Sequence, residues 1–106
     1  MPTLYVTAPP EAAPNLARTL VEERLAACVN RVPCESTYRW DGEVLEDEAE
    51  EVLFVKTSAE TVAAAEERVA DLHPYDVPCV ERFEADAVAA PFAEWIEEST
   101  GSEDDA

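Results

Sequence analysis

The sequence predicts an α+β sandwich with the element order β-α-β-β-α-β and a further helix at the C-terminus. Three observations predict it. Short segments rich in β-branched and aromatic residues alternate with stretches whose apolar residues recur at helical spacing. Prolines and one Asp-Gly pair separate these segments. The length of 106 residues suits one domain, and a hydrophobic content of 47% favours a packed core over disorder.

The first strand and the first helix are predicted near the N-terminus. Residues Thr3–Thr7 are mostly β-branched and aromatic, and Pro9 ends this strand. A helix is predicted over 11–26, because leucines recur there near helical spacing. Pro14 is tolerated only in the first turn of a helix, so the helix should begin close to it.

A long hairpin is predicted in the middle of the chain. Residues Cys28–Trp40 are rich in Val, Thr, Tyr and Trp, and the Asp41-Gly42 pair is a strong turn signal. The return strand should run from about Glu43 to Thr57. Its middle section, Glu46–Glu51, is too acidic for burial and is predicted to be exposed or bulged.

The remaining elements follow from capping and spacing. Ser58 is predicted to cap a second helix that Pro74 ends, and Val77–Phe83 is predicted to be an edge strand. A last amphipathic helix is indicated by the spacing of Val88, Phe92, Trp95 and Ile96. The folded domain should span residues 1–100, followed by a disordered acidic tail at 101–106.

This order is that of the split βαβ, or ferredoxin-like, arrangement with an added C-terminal helix. Strands of about 13 residues reach ~43 Å. A globule of this size has a diameter of only ~33 Å. The hairpin should therefore extend beyond its own domain, and the exposed Tyr38 and Trp40 on an unpaired edge should need a partner chain.

The net charge of −18, from 25 acidic and 7 basic residues, excludes whole classes of partner. Nucleic-acid binding needs clustered lysines and arginines, so it is not expected. The sequence contains no run of about 18 apolar residues, so no membrane span is expected. The N-terminus has no secretory-signal pattern, so a cytoplasmic location is expected. The single lysine and the many acids scattered between apolar positions predict adaptation to a salt-rich cytoplasm.

Three cysteines and one histidine are the residues best suited to bind soft metals. The cysteines are widely spaced and odd in number, which favours reduced thiols over a disulfide framework. No nucleophile motif or catalytic triad order is present, so an enzyme is not expected. Cys28 follows a run of small residues and is predicted to be a core residue, whereas Cys34 could face either side of its strand.

Several short motifs occur in a fixed order along the chain. They are Leu25-Ala26-Ala27-Cys28-Val29-Asn30, Pro33, Ser36-x-Tyr38-x-Trp40-x-Gly42, Lys56-Thr57, His73-Pro74-Tyr75-x-Val77-Pro78 and Trp95-Ile96. Together they resemble the CutA family of divalent-cation tolerance proteins over about residues 3–98. The resemblance implies a ferredoxin-like protomer in a tight homotrimer whose hairpins pair with neighbouring subunits. It also implies a cytoplasmic role in metal tolerance, with binding of copper or other divalent ions and no catalytic mechanism.

The family's copper ligands are associated with a first-strand cysteine and a His-His pair before the Pro-Tyr. The corresponding positions here hold Val6, Leu72 and His73, so only His73 remains as a candidate ligand. The alternative is that His73 ends its helix with hydrogen bonds to backbone. Cys79 could approach His73 and form a soft site for Cu(I), or be a buried strand cysteine; Cys34 is a second possible thiol ligand. Weak divalent binding without copper preference is expected, and no cofactor is obligatory.

Ser36, Tyr38 and Trp40 should share one strand face. They are candidates for subunit-interface anchors or, with Lys56, for a pocket that holds a small anion. The predicted inter-subunit cleft comprises Ser36, Tyr38, Trp40, Lys56, Tyr75 and Trp95. The acidic run Glu46–Glu51 is either a solvated face or a collector of hard divalent ions.

Two functions from different classes remain open. The first is a metal-tolerance homotrimer that binds divalent cations. The second is a regulatory trimer like the PII-type proteins, which bind nucleotides in clefts between subunits. Against the second, the sequence has no glycine-rich phosphate loop and only one lysine, Lys56, as a basic anchor.

Overall fold

The computed structural model describes residues 1–101 of the chain. Its elements are β1 (Pro2–Ala8), α1 (Ala13–Glu22), β2 (Cys28–Trp40), β3 (Glu43–Lys56), α2 (Val62–Leu72), β4 (Val80–Glu84) and α3 (Ala90–Ser99). The four strands form one open antiparallel sheet in the order β2-β3-β1-β4. The predicted α+β fold and element order are confirmed. None of the helices in the described range is long and apolar enough to cross a membrane.

The hydrophobic core lies between one face of the sheet and helices α1 and α2. Alternate residues of β1 are fully buried, as expected for a strand with one face against helices. The largest core side chains are Leu4 and Val6 of β1, Leu53 and Val55 of β3, Leu20 of α1 and Val69 of α2. The two central strands thus supply most of the sheet's contribution to the core.

The other face of the sheet carries a row of aromatic rings. The ring of Tyr5 makes edge-on contacts with Phe54 (centroids 5.8 Å apart) and Phe83 (6.4 Å). Phe83 is 55% exposed and Val32 on the same face is 47% exposed. We call this surface the uncovered sheet face.

The hairpin has the predicted boundaries to within one residue, since β2 is Cys28–Trp40 and β3 ends at Lys56. Asp41 and Gly42 both have positive φ (51° and 79°), as a type I′ turn requires. The molecule measures 48 × 27 × 19 Å. Its long axis exceeds the diameter expected for a globule of this length, which agrees with a hairpin that extends beyond the domain.

A β-bulge interrupts the hairpin within the acidic section, as predicted. Ser36 pairs with Glu48, but the next pair is Tyr38 with Leu45, so β3 contains one extra residue. Asp47 lies in this gap with a φ of 55°. The bulge leaves an additional acidic side chain exposed and increases the local twist.

Helix α1 ends at Glu22, four residues before its predicted end. Arg24 adopts a left-handed conformation with a φ of 60°, and the Leu25 N–H donates to the Leu20 carbonyl at 2.9 Å. This is a Schellman C-cap with arginine where glycine is usual. At the other end Pro14 lies in the first turn, as predicted.

Arg24 is held by the end of α3. Its guanidinium donates to the carbonyl oxygens of Glu98 (2.7 Å) and Gly101 (2.9 Å), and its own carbonyl accepts from the Gly101 N–H (3.0 Å). A cation at a helix C-terminus is electrostatically favourable. Gly101, the first residue of the predicted tail, is therefore hydrogen-bonded, and positions 102–106 lie outside the described residues.

Three further boundaries differ from prediction. Ser58 is not the N-cap of α2: the helix begins at Val62, with Thr61 at the cap and no side-chain cap bond. Instead, the Ser58 carbonyl accepts hydrogen bonds from the N–H groups of Thr61 (3.1 Å) and Val62 (3.0 Å). β4 begins at Val80 rather than Val77, which is 68% exposed. α3 begins at Ala90, so the predicted Val88 precedes it.

Candidate ligand cleft

A cleft of about 460 Å³ lies between the outer half of the hairpin and the turn that follows α2. Two strands of the hairpin, the end of β1 and the segment 75–79 form its walls. The lining residues are Thr7, Ser36, Thr37, Tyr38, Trp40, Glu50, Tyr75, Asp76, Val77 and Cys79. Its size is typical of small-molecule sites.

His73 anchors the turn that forms one wall. Pro74 forces the end of α2, and His73 at the C-cap is extended and buried. Its Nδ1 accepts the Tyr75 N–H at 3.1 Å, so Nε2 carries the proton and donates to the Thr7 carbonyl at 2.7 Å. Both ring nitrogens are therefore engaged with backbone: the Nδ1 lone pair accepts a hydrogen bond and Nε2 carries the proton, so neither nitrogen is free to bind a metal.

Tyr75 extends from this anchored turn towards Glu50 of β3. The two aromatic rings of His73 and Tyr75 lie 4.9 Å apart, and the Tyr75 hydroxyl donates to Glu50 Oε2 at 3.4 Å. Burial, and then the neighbouring carboxylate of Glu50, raise the pKa of Tyr75. The tyrosine is thus kept in its neutral, proton-donating form.

Glu50 corrects the prediction that the whole acidic section is exposed, since only 7% of this residue is accessible. It pairs with Cys34 across the hairpin, and directly opposed residues share a face of the sheet. That face is the one on which Ser36 and Tyr38 line the cleft. Sequence reasoning missed Glu50, although counting back along the ladder from the Lys56 end would have placed it there.

Four of the six predicted cleft residues lie together within one chain: Ser36, Tyr38, Trp40 and Tyr75. Lys56 and Trp95 do not. Lys56 pairs with Cys28 at the opposite end of the hairpin, where its Nζ lies 6.0 Å from the Phe92 ring centroid. The Phe92 and Trp95 rings are 5.6 Å apart. That Lys56 and Trp95 join the cleft of a neighbouring subunit stays a prediction.

The three cysteines are free, half-buried thiols. Cys79 Sγ lies 3.9 Å from Glu81 Oε1, and Cys34 Sγ lies 4.0 Å from Ser36 Oγ. Burial raises the pKa of Cys28, which disfavours the thiolate that binds metals. Across residues 1–101, no three His, Cys, Asp or Glu side chains are grouped to hold a metal ion. The donor set therefore does not fit a resident copper ion.

Comparison with known proteins extends over almost the whole chain. Residues 3–99 match the model of a family described as CutA1 divalent ion tolerance protein. A divalent-cation tolerance protein CutA of Thermus thermophilus is 48% identical over 107 residues, which cover 92% of this chain and 96% of that protein. The chloroplastic protein CutA of Arabidopsis thaliana is 42% identical over 99 residues, 92% of this chain but 54% of that protein.

A solved structure has the same fold. The PII-like protein CutA from Nostoc sp. PCC 7120 in apo form has a TM-score of 0.91 at 36% identity, with 95% of this chain and 98% of that chain covered. The present chain thus spans nearly all of the Thermus relative and about half of the plant relative. On the family match and this identity, the chain belongs to the CutA1 family of divalent ion tolerance proteins.

Proposed function

We propose that this protein acts in divalent-cation tolerance as a homotrimer that binds divalent cations weakly and without strong preference for copper. The family assignment supports the role in cation tolerance. The observation that carries self-association is the uncovered sheet face, with its exposed Phe83 and Val32. The proposal includes no catalytic activity, since the family model and the Thermus relative are described as tolerance proteins.

Two features of the sheet favour further copies of the chain as the partner. β2 is a sheet edge of 13 residues, and β4 is the other edge. Long exposed edges and contiguous apolar surface are usually covered in stable proteins. Closed self-assembly is the commonest way in which soluble chains cover such surfaces.

The homotrimer can be tested by light scattering in molar KCl on wild type, Phe83→Ser and Val21→Ser. Wild type should have three times the mass of one chain. Phe83→Ser places a hydroxyl on the uncovered sheet face and should shift the mass towards the monomer. Val21 is 40% exposed on α1, in the helix layer, so Val21→Ser is the matched control and should remain trimeric. A folded wild-type monomer would exclude the proposal.

Weak metal binding is proposed from the side chains that could act as ligands. Both ring nitrogens of His73 are engaged with backbone, and the Cys79 thiol lies 3.9 Å from the Glu81 carboxylate. Affinity for copper rises only when several ligands converge. Competition with a chelator of known affinity should therefore give the same weak Cu²⁺ binding for wild type and His73→Ala. Submicromolar binding that His73→Ala abolishes would refute this part. Cys79→Ser under reducing conditions tests Cu(I) separately.

A cytoplasmic, salt-rich location completes the proposal. Three unpaired thiols suit a reducing compartment. The net charge of −18 on one chain suits an environment whose salt screens repulsion between acidic surfaces.

The cleft favours a second candidate function, a small-molecule-binding regulatory module. It has the volume of a small-molecule site and aromatic walls, and the Nostoc relative is named a PII-like protein. Calorimetric titration with ATP and with Cu²⁺ separates the two functions. Saturable heat with ATP alone supports a regulatory module that binds nucleotides, and saturable heat with Cu²⁺ alone supports the metal-binding function.

A further inference from the structure

The side chains that line the cleft carry negative charge. What this implies about a ligand rests on the second candidate function, in which the cleft binds a small molecule. Two carboxylates, Glu50 and Asp76, are among the lining side chains. Within one chain, the described residues that line the cleft include no lysine or arginine, and Lys56 lies at the opposite end of the hairpin. A phosphate-bearing ligand would need cationic or backbone donors and would be repelled by these carboxylates.

Glu50 is more than nine-tenths buried and has few partners. Within residues 1–101 its carboxylate receives one hydrogen bond, a long one of 3.4 Å from Tyr75. Arg31 pairs with Leu53 in the ladder and so lies on the helix side of the sheet, where its guanidinium contacts Glu51 at 2.8 Å. In the same range no fully buried side-chain oxygen lacks a partner, so the second Glu50 oxygen has access to the cleft. A buried carboxylate with unused acceptor capacity is costly unless a cation neutralises it.

Aromatic side chains form the rest of the binding surface. Tyr38 is 37%, Tyr75 40% and Trp40 53% exposed, although all three line the cleft. Trp and Tyr rings attract cations that lie over their faces, and Trp does so most strongly. Tyr75 is held in place by its backbone bond to His73 and its contact with that ring. The wall that Tyr75 forms is therefore in place before any ligand arrives.

These features differ from a metal site. A hard divalent ion takes six or more oxygen ligands, and the described residues contain no group of even three suitable side chains. An organic cation needs only one carboxylate and apolar or aromatic walls, because its charge is spread over alkyl groups. The volume of about 460 Å³ can contain such a molecule.

We infer that the cleft binds a small organic cation, an alkylated ammonium group whose charge is balanced by Glu50 and whose alkyl groups lie against Trp40, Tyr38 and Tyr75. The relevant ligand class is thus a substituted amine, not a nucleotide.

Fluorescence titration of the full chain with tetramethylammonium tests this at constant ionic strength. The background is Trp95→Phe, so that Trp40 is the only indole. We expect saturable quenching by tetramethylammonium and none by tert-butanol, a neutral molecule of similar shape. Glu50→Gln should weaken binding at least tenfold. Glu48→Gln is the matched control, since Glu48 lies two residues away on the same strand and is exposed; it should bind as the parent does.

Each other outcome has a distinct meaning. Equal affinity in Glu50→Gln and Glu48→Gln would overturn the inference, because binding would then reflect only the overall negative charge. Binding of ATP without tetramethylammonium would overturn the ligand class but leave a ligand-binding cleft. If neither ATP nor tetramethylammonium binds, both the organic-cation inference and the ligand-binding function of the cleft are overturned. Should Glu50→Gln not fold, Tyr38→Leu on the same background replaces it, because it removes one aromatic face. We expect affinity to fall at least threefold, and unchanged affinity would contradict the inference.

Discussion

The two halves of the hairpin are built differently. At its base, β3 lies between β2 and β1, and Leu53 and Val55 are fully buried beneath the helices. Between the hairpin turn and Glu50, β3 pairs with β2 alone, and most residues of this outer half are exposed. The base is thus stabilised within one chain. The outer half lacks a core of its own, and an isolated two-stranded ribbon is only marginally stable in water.

The base is also fixed by specific backbone contacts. The Ala27 N–H donates to the Lys56 carbonyl, and the Thr57 hydroxyl donates to the Leu25 carbonyl, both at 2.8 Å. The outer half instead contains the bulge at Asp47 and the aromatic lining of the cleft. The difference indicates that stability is concentrated at the base, and that the surfaces proposed for function are concentrated in the outer half.

The largest effect is expected from a core truncation at the base. Leu53→Ala removes a fully buried side chain and should lower the free energy of unfolding by about 3 kcal/mol. Val44→Ala, at a position 54% exposed in the outer half, should cost less than about 1 kcal/mol. Denaturant unfolding of both variants measures the contrast, and similar losses would show that the two halves are equally well packed.

Salt should act mainly on the outer half, where Glu43, Glu46 and Glu48 are all exposed. We expect the melting temperature to rise from dilute buffer to molar KCl, because screening relieves repulsion and salt favours apolar burial. The rise should be smaller in Glu46→Gln/Glu48→Gln than in the control Glu94→Gln/Glu97→Gln, which alters exposed residues of α3. A melting temperature that is flat or falls with salt would remove the proposed adaptation.

A smaller effect is expected where α3 joins the base. Arg24→Ala removes the charged hydrogen bonds to the Glu98 and Gly101 carbonyls and should cost about 2 kcal/mol. Arg24→Gly loses the same bonds but suits the positive φ, so it should be more stable than Arg24→Ala by about 1 kcal/mol. Thermal unfolding compares the two, and a glycine variant less stable than the alanine variant would contradict this reading of the C-cap.

Local patterns predicted the elements that local interactions determine. The hairpin boundaries follow from strand composition and from Asp41-Gly42, whose positive φ angles suit that turn. The end of α1 could not be predicted, because Arg24 adopts its conformation beside carbonyls more than 70 residues later in the chain.

The candidate site was predictable only in part, for a similar reason. The alternation along β2 placed Ser36, Tyr38 and Trp40 on one face. Glu50 was missed because acidic composition indicated exposure, whereas its burial depends on the Tyr75 side chain from a distant turn. For His73 the sequence offered two readings, a metal ligand or a helix end bonded to backbone. It could not decide between them, since the partners come from the backbone of β1 and of the turn after α2.

Hydrogen exchange of the backbone amides in molar KCl tests most directly the claim that other copies of the chain complete the outer half. The comparison is between residues 35–40 of β2 and residues 52–56 of β3. If subunits cover the outer half, both segments should exchange slowly at high protein concentration. Dilution below the dissociation constant of the assembly should then accelerate exchange in 35–40 first. Fast exchange of residues 35–40 at every concentration, beside slow exchange at 52–56, would contradict the account.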